Sequence, residues 1–170
     1  MPDANDKLNQ AIGRETGEGR FQVAISSGGV QFFADEPKSA GGLGSGPNPY
    51  QLLGSALAAC TTMTLRLYAD QKGWPVEDIR TAVGHRREQG GKPADLFIRH
   101  ITFSGDLTEE QRARLLEIAD RCPVHRTLTA SARVETKADE LAPACDGEDA
   151  HMADMEALIS VGRRSFDFTD

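Results

Sequence analysis

The chain holds three cysteines, and two of them, Cys60 and Cys122, stand where chemistry is possible. Cys60 falls inside a long helical run that starts at Gly46-Pro47-Asn48-Pro49-Tyr50. Cys122 ends a second amphipathic helix and opens the segment Cys122-Pro123-Val124-His125-Arg126-Thr127. Each is read as embedded in a helix rather than in a loop knuckle, and the two are far apart in sequence. That argues against a metal finger, and no metal site is expected. It argues for a pair brought together by folding. Two thiols that meet in a folded interior can do thiol–disulfide or peroxide chemistry. The plainer reading is that they are small core hydrophobes, as free cysteines usually are.

The elements that must position them are legible from pattern. Phe21-Gln22-Val23-Ala24-Ile25 alternates, as a half-buried strand does. Ser26-Ser27-Gly28-Gly29 is a turn, and Val30-Gln31-Phe32-Phe33-Ala34 returns as the second strand of a hairpin. Lys38 to Pro47 is a loop rich in Gly, Ser and Pro. Asn48 can cap the Cys60 helix, Pro49 suits its first position, and Gln51 can reach back. The helix runs to Asp70, with Gly73 and Pro75 as stop signals. Small residues around Cys60 (Gly54, Ser55, Ala56, Ala58, Ala59) imply a central helix buried on most faces.

Val76 to Glu88 and Leu96 to Phe103 read as strands joined by Gln89-Gly90-Gly91-Lys92-Pro93. Ile79, Thr81, Val83 and His85 share one face of the first; Phe97, Arg99, Ile101 and Phe103 share one face of the second. Thr108-Glu109-Glu110-Gln111 is a capping box for the second helix, with Leu115, Leu116, Ile118, Ala119 and Cys122 as its apolar stripe. Pro123 ends it or starts a short turn. Ser131 to Lys137 alternates as a last strand. The order ββ-α-ββ-α-β gives an α+β fold. Residues 1–19 form an N-terminal segment, 20–138 the domain, and 139–170 an acidic tail. Cys145 is a bystander in that tail, and Met152 to Val161 has the pattern of one short helix.

The 170 residues carry a net charge of −7 and a sequence pI near 5.1. Such a balance is wrong for general nucleic-acid binding, which needs a basic face. The start Met1-Pro2-Asp3-Ala4-Asn5-Asp6-Lys7 has no apolar core of a signal peptide. No stretch reaches membrane-spanning length, because Arg66, Asp70 and Lys72 interrupt the most apolar one. The reading is a cytoplasmic protein with no membrane partner. Three cysteines in a reducing compartment are not a disulfide framework.

The glycine loop Gly41-Gly42-Leu43-Gly44-Ser45-Gly46-Pro47-Asn48-Pro49, the helix through Ala58-Ala59-Cys60, and Arg121-Cys122-Pro123-Val124-His125 closely resemble the OsmC/Ohr family of osmotically inducible and organic hydroperoxide resistance proteins. Asp35-Glu36-Pro37 and Tyr68-Ala69-Asp70-Gln71-Lys72-Gly73-Trp74-Pro75 look like its OsmC-like branch. The resemblance covers about Phe21 to Lys137. It implies an intertwined homodimer with two long central helices wrapped by β-sheets, active sites at the dimer interface, and reduction of organic hydroperoxides. Cys60 matches the peroxidatic position and Cys122 the resolving one. A small or lipoyl-type dithiol would recycle the pair, and no cofactor is implied. An arginine of the N-terminal segment would activate Cys60: Arg20 matches best, with Arg14 as the fallback.

The match departs from the hydroperoxide-resistance pattern at one place. The family's glutamate directly follows the helix-start proline, and here that position is Tyr50. Glu36 is a conceivable substitute. Tyr50 itself reads as an aromatic that packs on a partner chain. His125 reads as a hydrogen-bonded structural residue. Two other functions follow from the same residues: a non-peroxidatic redox sensor or apolar-ligand binder, and an accessory domain beside another enzyme. The chain has no Gly-x-Ser-x-Gly elbow of its own.

Overall fold

The structure is a computed structural model, and it describes residues 10–136 together with Met155 and Ala157. The expectations for the first nine residues, for Cys145 and for most of the acidic tail fall outside those residues. Met155 and Ala157 are both helical, within the range expected to form a short helix. The fold is α+β, as expected, and the chain divides into two compact units. The first holds residues 10–52 and 134–136; the second holds 53–133 with Met155 and Ala157.

In the first unit, β1 (Ala11–Glu15), β2 (Val23–Ser27) and β3 (Val30–Ala34) form an antiparallel sheet in that order. The β2–β3 hairpin turns at Gly28-Gly29, with Ser27 opposite Val30. β1 was not foreseen. Its Ala-Ile-Gly-Arg-Glu sequence has one large apolar residue, so no alternation marks it. It forms because β2 offers it an edge, with Gly13 opposite Ile25.

After a single 3-10 turn at Lys38–Ala40 comes the glycine loop, and buried Asp35 organises it. Its carboxylate accepts from Glu36 N (2.8 Å), Leu43 N (2.9 Å), Ser45 N (3.2 Å) and Ser45 Oγ (2.9 Å). Burial alone would raise its pKa, but the hydrogen bonds from Ser45, Glu36 and Leu43 outweigh that and hold it below the ordinary carboxylate value. The glycines let the backbone fold back closely. A Cβ on Gly42 would meet the Glu36 carbonyl, and one on Gly46 the Phe33 carbonyl.

Helix α1 (Pro49–Lys72) opens with the expected reciprocal cap. Gln51 N donates to Asn48 Oδ1 and Asn48 N donates to Gln51 Oε1, both at 2.9 Å. The helix closes where Trp74 N donates to Ala69 O and Gly73 N to Asp70 O, the paired bonds of a Schellman end. It buries a single stripe: Leu57, Cys60, Thr61, Thr64, Leu65, Tyr68 and Ala69. Of the small residues expected to be buried, Gly54 is, but much of that face is not covered by the described residues. Ser55, Ala56 and Ala59 are exposed, as is Met63.

The second unit sets that stripe against a long hairpin and a short helix. β4 (Val76–Arg87) and β5 (Asp95–Gly105) pair antiparallel, with the loop closed by Glu88 N to Ala94 O at 2.8 Å. The faces fall as the alternation dictates. Ile79, Thr81, Val83 and His85 turn inward on β4. Thr62 Oγ1 donates to Thr81 Oγ1 at 2.9 Å and so ties α1 to β4. Helix α2 (Glu109–Ala119) has its capping box, Thr108 with Gln111. Leu115, Ile118 and Ala119 pack with Leu65, Tyr68, Ala69, Val76 and Ile79 into one core. Leu116, expected on the stripe, is exposed.

Two elements differ from expectation. α2 ends at Ala119, and a new helix α3 (Pro123–Ala130) follows, so Cys122 is not inside a helix but precedes one. Ser131 to Lys137 does not form a strand over its described residues, 131–136. Alternation makes a strand only where a partner edge exists, and none of the described strands pairs there; Val134 is 85% exposed. The observed order is therefore βββ-α-ββ-α-α.

Candidate active site

Cys60 and Cys122 meet in the second unit. Both are buried, and both are free thiols. Cys60 is presented by the buried stripe of α1. Cys122 arrives because α2 unwinds: Arg121 N and Cys122 N donate to Ile118 O and Ala119 O, and the chain turns into α3. Cys122 occupies the N-cap position of α3, with extended backbone. Pro123 fills the first helical position, which needs no donor. The first available amides are those of Val124 and His125.

Those amides point at the sulfurs. Val124 N donates to Cys60 Sγ at 3.5 Å. The amides of His125 and Val124 also favour the charged form of Cys122, and the two cysteine side chains hydrogen-bond to each other. The shell around them is apolar, from Leu57, Val83, Phe97, Val124 and Leu128. Beside it lies a cleft of about 520 Å³, lined by Leu57, Phe97 and Leu128 with the polar ends of Asp95, Arg99 and His125.

The two thiols share one negative charge unequally. The hydrogen bond from Cys60 draws Cys122 down to about 6, against the burial that opposes it and with help from His125 N, Thr61 and Val124 N. The same S–H···S bond, then burial, pushes Cys60 well up. The S–H···S bond therefore favours the proton on Cys60 and the negative charge on Cys122.

Arg99, on the inward face of β5, reaches the chain on either side of this pair. Its Nη1 donates to Thr61 Oγ1 and to Ala119 O, each at 3.0 Å. Its Nη2 donates to Asp120 Oδ1 at 2.8 Å. His125 Nδ1 lies 4.0 Å from the same Asp120 oxygen. The sequence reading placed Arg99 on the apolar face of its strand without giving it a task, and a charge on an apolar face was the available signal. Thr61 carries no such signal beyond its place next to Cys60.

The other expected site residues lie in the first unit. The Arg20 guanidinium stacks 5.0 Å from the centroid of the Phe21 ring. Arg14 lies on β1 beside Ile12, Phe32 and Phe33 in a second cleft. Glu36 is half-buried, and its carbonyl accepts from Gly44 N. Tyr50 is 42% exposed on the first turn of α1, which holds no acidic side chain. Among the described residues no cluster of His, Cys, Asp or Glu could hold a metal ion, and no helix is long and apolar enough to cross a membrane.

No curated protein matches the chain. Solved structures do. An OsmC-like protein from Mycoplasma pneumoniae is 22% identical, with a TM-score of 0.60 over 73% of this chain and 89% of that one. An organic hydroperoxide resistance protein OsmC from Legionella pneumophila is 21% identical, with a TM-score of 0.54 over 71% and 88%. An organic hydroperoxide resistance protein from Elizabethkingia anophelis is 21% identical, with a TM-score of 0.55 over 72% and 90%. At these identities the likeness is one of fold. The OsmC-like protein family profile, however, matches residues 42–137, which run from the glycine loop past both cysteines, and the chain belongs to the OsmC-like protein family.

Proposed function

We propose that this protein is a thiol-dependent peroxidase that reduces organic hydroperoxides through Cys60 and Cys122. The observation that carries this reading is the contact itself: two free thiols from distant parts of the chain, hydrogen-bonded to each other in an apolar shell beside an open cleft. The apolar shell around Cys60 suits an alkyl or lipid hydroperoxide better than hydrogen peroxide.

The reaction follows from the shared proton. As Cys60 sulfur attacks the distal peroxide oxygen, its proton crosses to Cys122. An S–O bond forms, the O–O bond breaks, and the electron pair leaves on the alkoxide. The alkoxide takes the proton from Cys122 and departs as the alcohol. Cys60 is then a sulfenic acid and Cys122 a thiolate. Cys122 attacks the sulfenic sulfur; the S–S bond forms and hydroxide leaves, protonated by solvent to water. An external dithiol, small or lipoyl-type, reduces the disulfide and is itself oxidised. Arg20, with Arg14 as the fallback, supplies positive charge to Cys60 in this reading. The working unit is a homodimer, in which a second copy covers the exposed small face of α1 at Ala56, Ala59 and Met63, and it works in the cytoplasm.

The absence of a carboxylate in the first turn of α1, where Tyr50 stands, favours a second reading, a redox sensor or apolar-ligand binder. One experiment separates them. Thiols are counted anaerobically before and after one equivalent of cumene hydroperoxide, and any bridge is mapped by mass spectrometry. Fast loss of two thiols with a Cys60–Cys122 link supports the peroxidase. No loss over minutes overturns it and leaves the second reading.

A further inference from the structure

Arg99 carries a guanidinium into the second unit, and its side chain is only 13% exposed. A guanidinium so far from water is tolerated where its donors find partners, and here the partners lie on two separate segments. Nη1 donates to Thr61 Oγ1 on α1 and to Ala119 O at the end of α2, each at 3.0 Å. Nη2 donates to Asp120 Oδ1 at 2.8 Å. Thr61 directly follows Cys60 in the chain. Ala119 O is also the acceptor for the Cys122 amide, at 3.3 Å. One carbonyl thus takes a bond from Arg99 and a bond from the backbone of Cys122. Arg99 ties the residue beside Cys60 to the carbonyl that anchors Cys122.

We propose that Arg99 is a positioning residue that clamps the segments bearing Cys60 and Cys122 in register, and so sets how readily the two sulfurs join. The inference rests on the thiol-pair reading above for its place in a reaction. It assigns a residue outside the N-terminal segment to which the family resemblance pointed.

A disulfide has a narrow geometry, with its Cβ atoms roughly 3.5–4.5 Å apart. Two sulfurs held near that geometry have a high effective concentration, and a small misplacement lowers it steeply. Leu57, Val124 and Leu128 press the same segments together, but apolar contact has no direction. The guanidinium does, because its N–H groups leave in a fixed planar fork. Lysine could not replace it, since an ammonium offers its donors from a single point. The clamp works by placement rather than by field: Asp120 lies against the guanidinium and balances its charge.

Glutathione exchange tests this in the full chain with Cys145→Ser, so that Cys60 and Cys122 are the only thiols. Glutathione disulfide oxidises the pair to a Cys60–Cys122 bond and is itself reduced to two glutathione thiols; the reverse exchange opens the bond. The glutathione ratio at half-oxidation gives the effective concentration of one sulfur at the other. Arg99→Gln should lower it by about ten- to a hundredfold, and Arg99→Lys should lower it too. Thr61→Val, which removes the acceptor on α1, should shift it in the same direction. Thr61→Ser, which keeps the oxygen, should not. In the Arg99→Gln chain, Thr61→Val should add little, because the bond the two share is already gone. Arg112 is the control. Its guanidinium donates to Phe103 O and Gly105 O rather than to the segments that carry the cysteines. Arg112→Gln should therefore lower Tm without moving the glutathione equilibrium. An Arg99→Gln chain with its parent's effective concentration overturns the proposal, and so does an Arg112→Gln chain that loses as much. If Arg99→Gln does not fold, the variants at position 61 decide alone, and a Thr61→Val chain equal to its parent overturns it. The exchange needs no hydroperoxide, so a chain that is inert to hydroperoxide defeats the peroxidase reading while leaving this result standing.

Discussion

The Val124 amide donates to Cys60 Sγ at 3.5 Å, and the same N–H also favours the thiolate of Cys122. One turn of α3 thus serves both sulfurs, while the S–H···S bond between them pushes their pKa values apart. In a Cys145→Ser chain, ultraviolet titration should show one of the two remaining thiols ionising around pH 6. The other should stay protonated through the alkaline range, since the S–H···S bond and burial both hold its proton. Two thiolates appearing together at the ordinary cysteine value would mean that the sulfurs do not share a proton.

The same asymmetry makes stability depend on pH. Between about 6 and the ordinary value of 9.0, the folded Cys122 is ionised and the unfolded one is not. The unfolded state then binds more protons, so stability rises with pH. The Cys122 contribution is fully present above 9.0 and is lost as pH falls through about 6. Cys60 has the opposite sign, and its raised pKa removes stability only above its unfolded value. Under reductant, urea unfolding of the Cys145→Ser chain should gain up to about 1.4 kcal/mol per pH unit across this window. The Cys122→Ser, Cys145→Ser chain should lack that slope. Equal slopes would count against a depressed Cys122.

Much of this site was legible because local rules and tertiary contacts agree there. The Asn48–Gln51 and Thr108–Gln111 caps, the α1 stop at Gly73, and the inward faces of β4 and β5 all follow from residue spacing. The errors fall where tertiary context decides. Ala11–Glu15 has little alternation, yet it pairs because β2 presents an edge. Residues 131–136 alternate, yet they find no edge among the described strands. Cys122 looked helical because its spacing continues the α2 stripe, but Pro123 resets the chain and begins α3. The Arg99–Thr61 bond links residues far apart in sequence, and although Arg99's charge on an apolar face stood out, nothing in the sequence named Thr61 as its partner.

Asp35 gives a separate test of what shapes the glycine loop. Asp35→Ala removes the acceptor for Glu36 N, Leu43 N and Ser45 N, leaving three amides to seek water. Hydrogen exchange at Leu43 and Ser45 should accelerate markedly, and Tm should fall by several degrees. Because the folded pKa is below the ordinary value of 3.8, the carboxylate's contribution is present above 3.8 and is lost as pH falls through the lower, folded value. Unchanged exchange at those two amides would show that the loop holds its shape without the carboxylate.

Gly105 fixes the far end of the β4–β5 hairpin. It pairs with Val76 and has a φ of +115°, and a Cβ there would meet the Pro75 carbonyl. Gly105→Ala should therefore combine backbone strain with a clash against main chain that cannot move aside cheaply. The expected loss is about 2–4 kcal/mol in denaturant unfolding. A loss under about 0.5 kcal/mol, the range of an ordinary surface change, would show that the strand end can shift.

Tyr50 is where chemistry and helix physics can be changed together. The first turn of α1 carries no acidic residue, although a helix N-terminus favours one. Tyr50→Glu would place a carboxylate there, at the position the family pattern gives to glutamate. Because Tyr50 is 42% exposed, little packing is lost, and the dipole term should stabilise by about 0.3–1 kcal/mol. If Arg20 or Arg14 activates Cys60, the new carboxylate should steady that arginine and raise the rate of hydroperoxide consumption severalfold. The companion variant Tyr50→Gln, similar in size but uncharged, should not. A faster Tyr50→Glu chain would make the missing carboxylate the reason for a slow native rate. An equal rate for Glu and Gln would mean that no arginine acting on the thiols depends on this position.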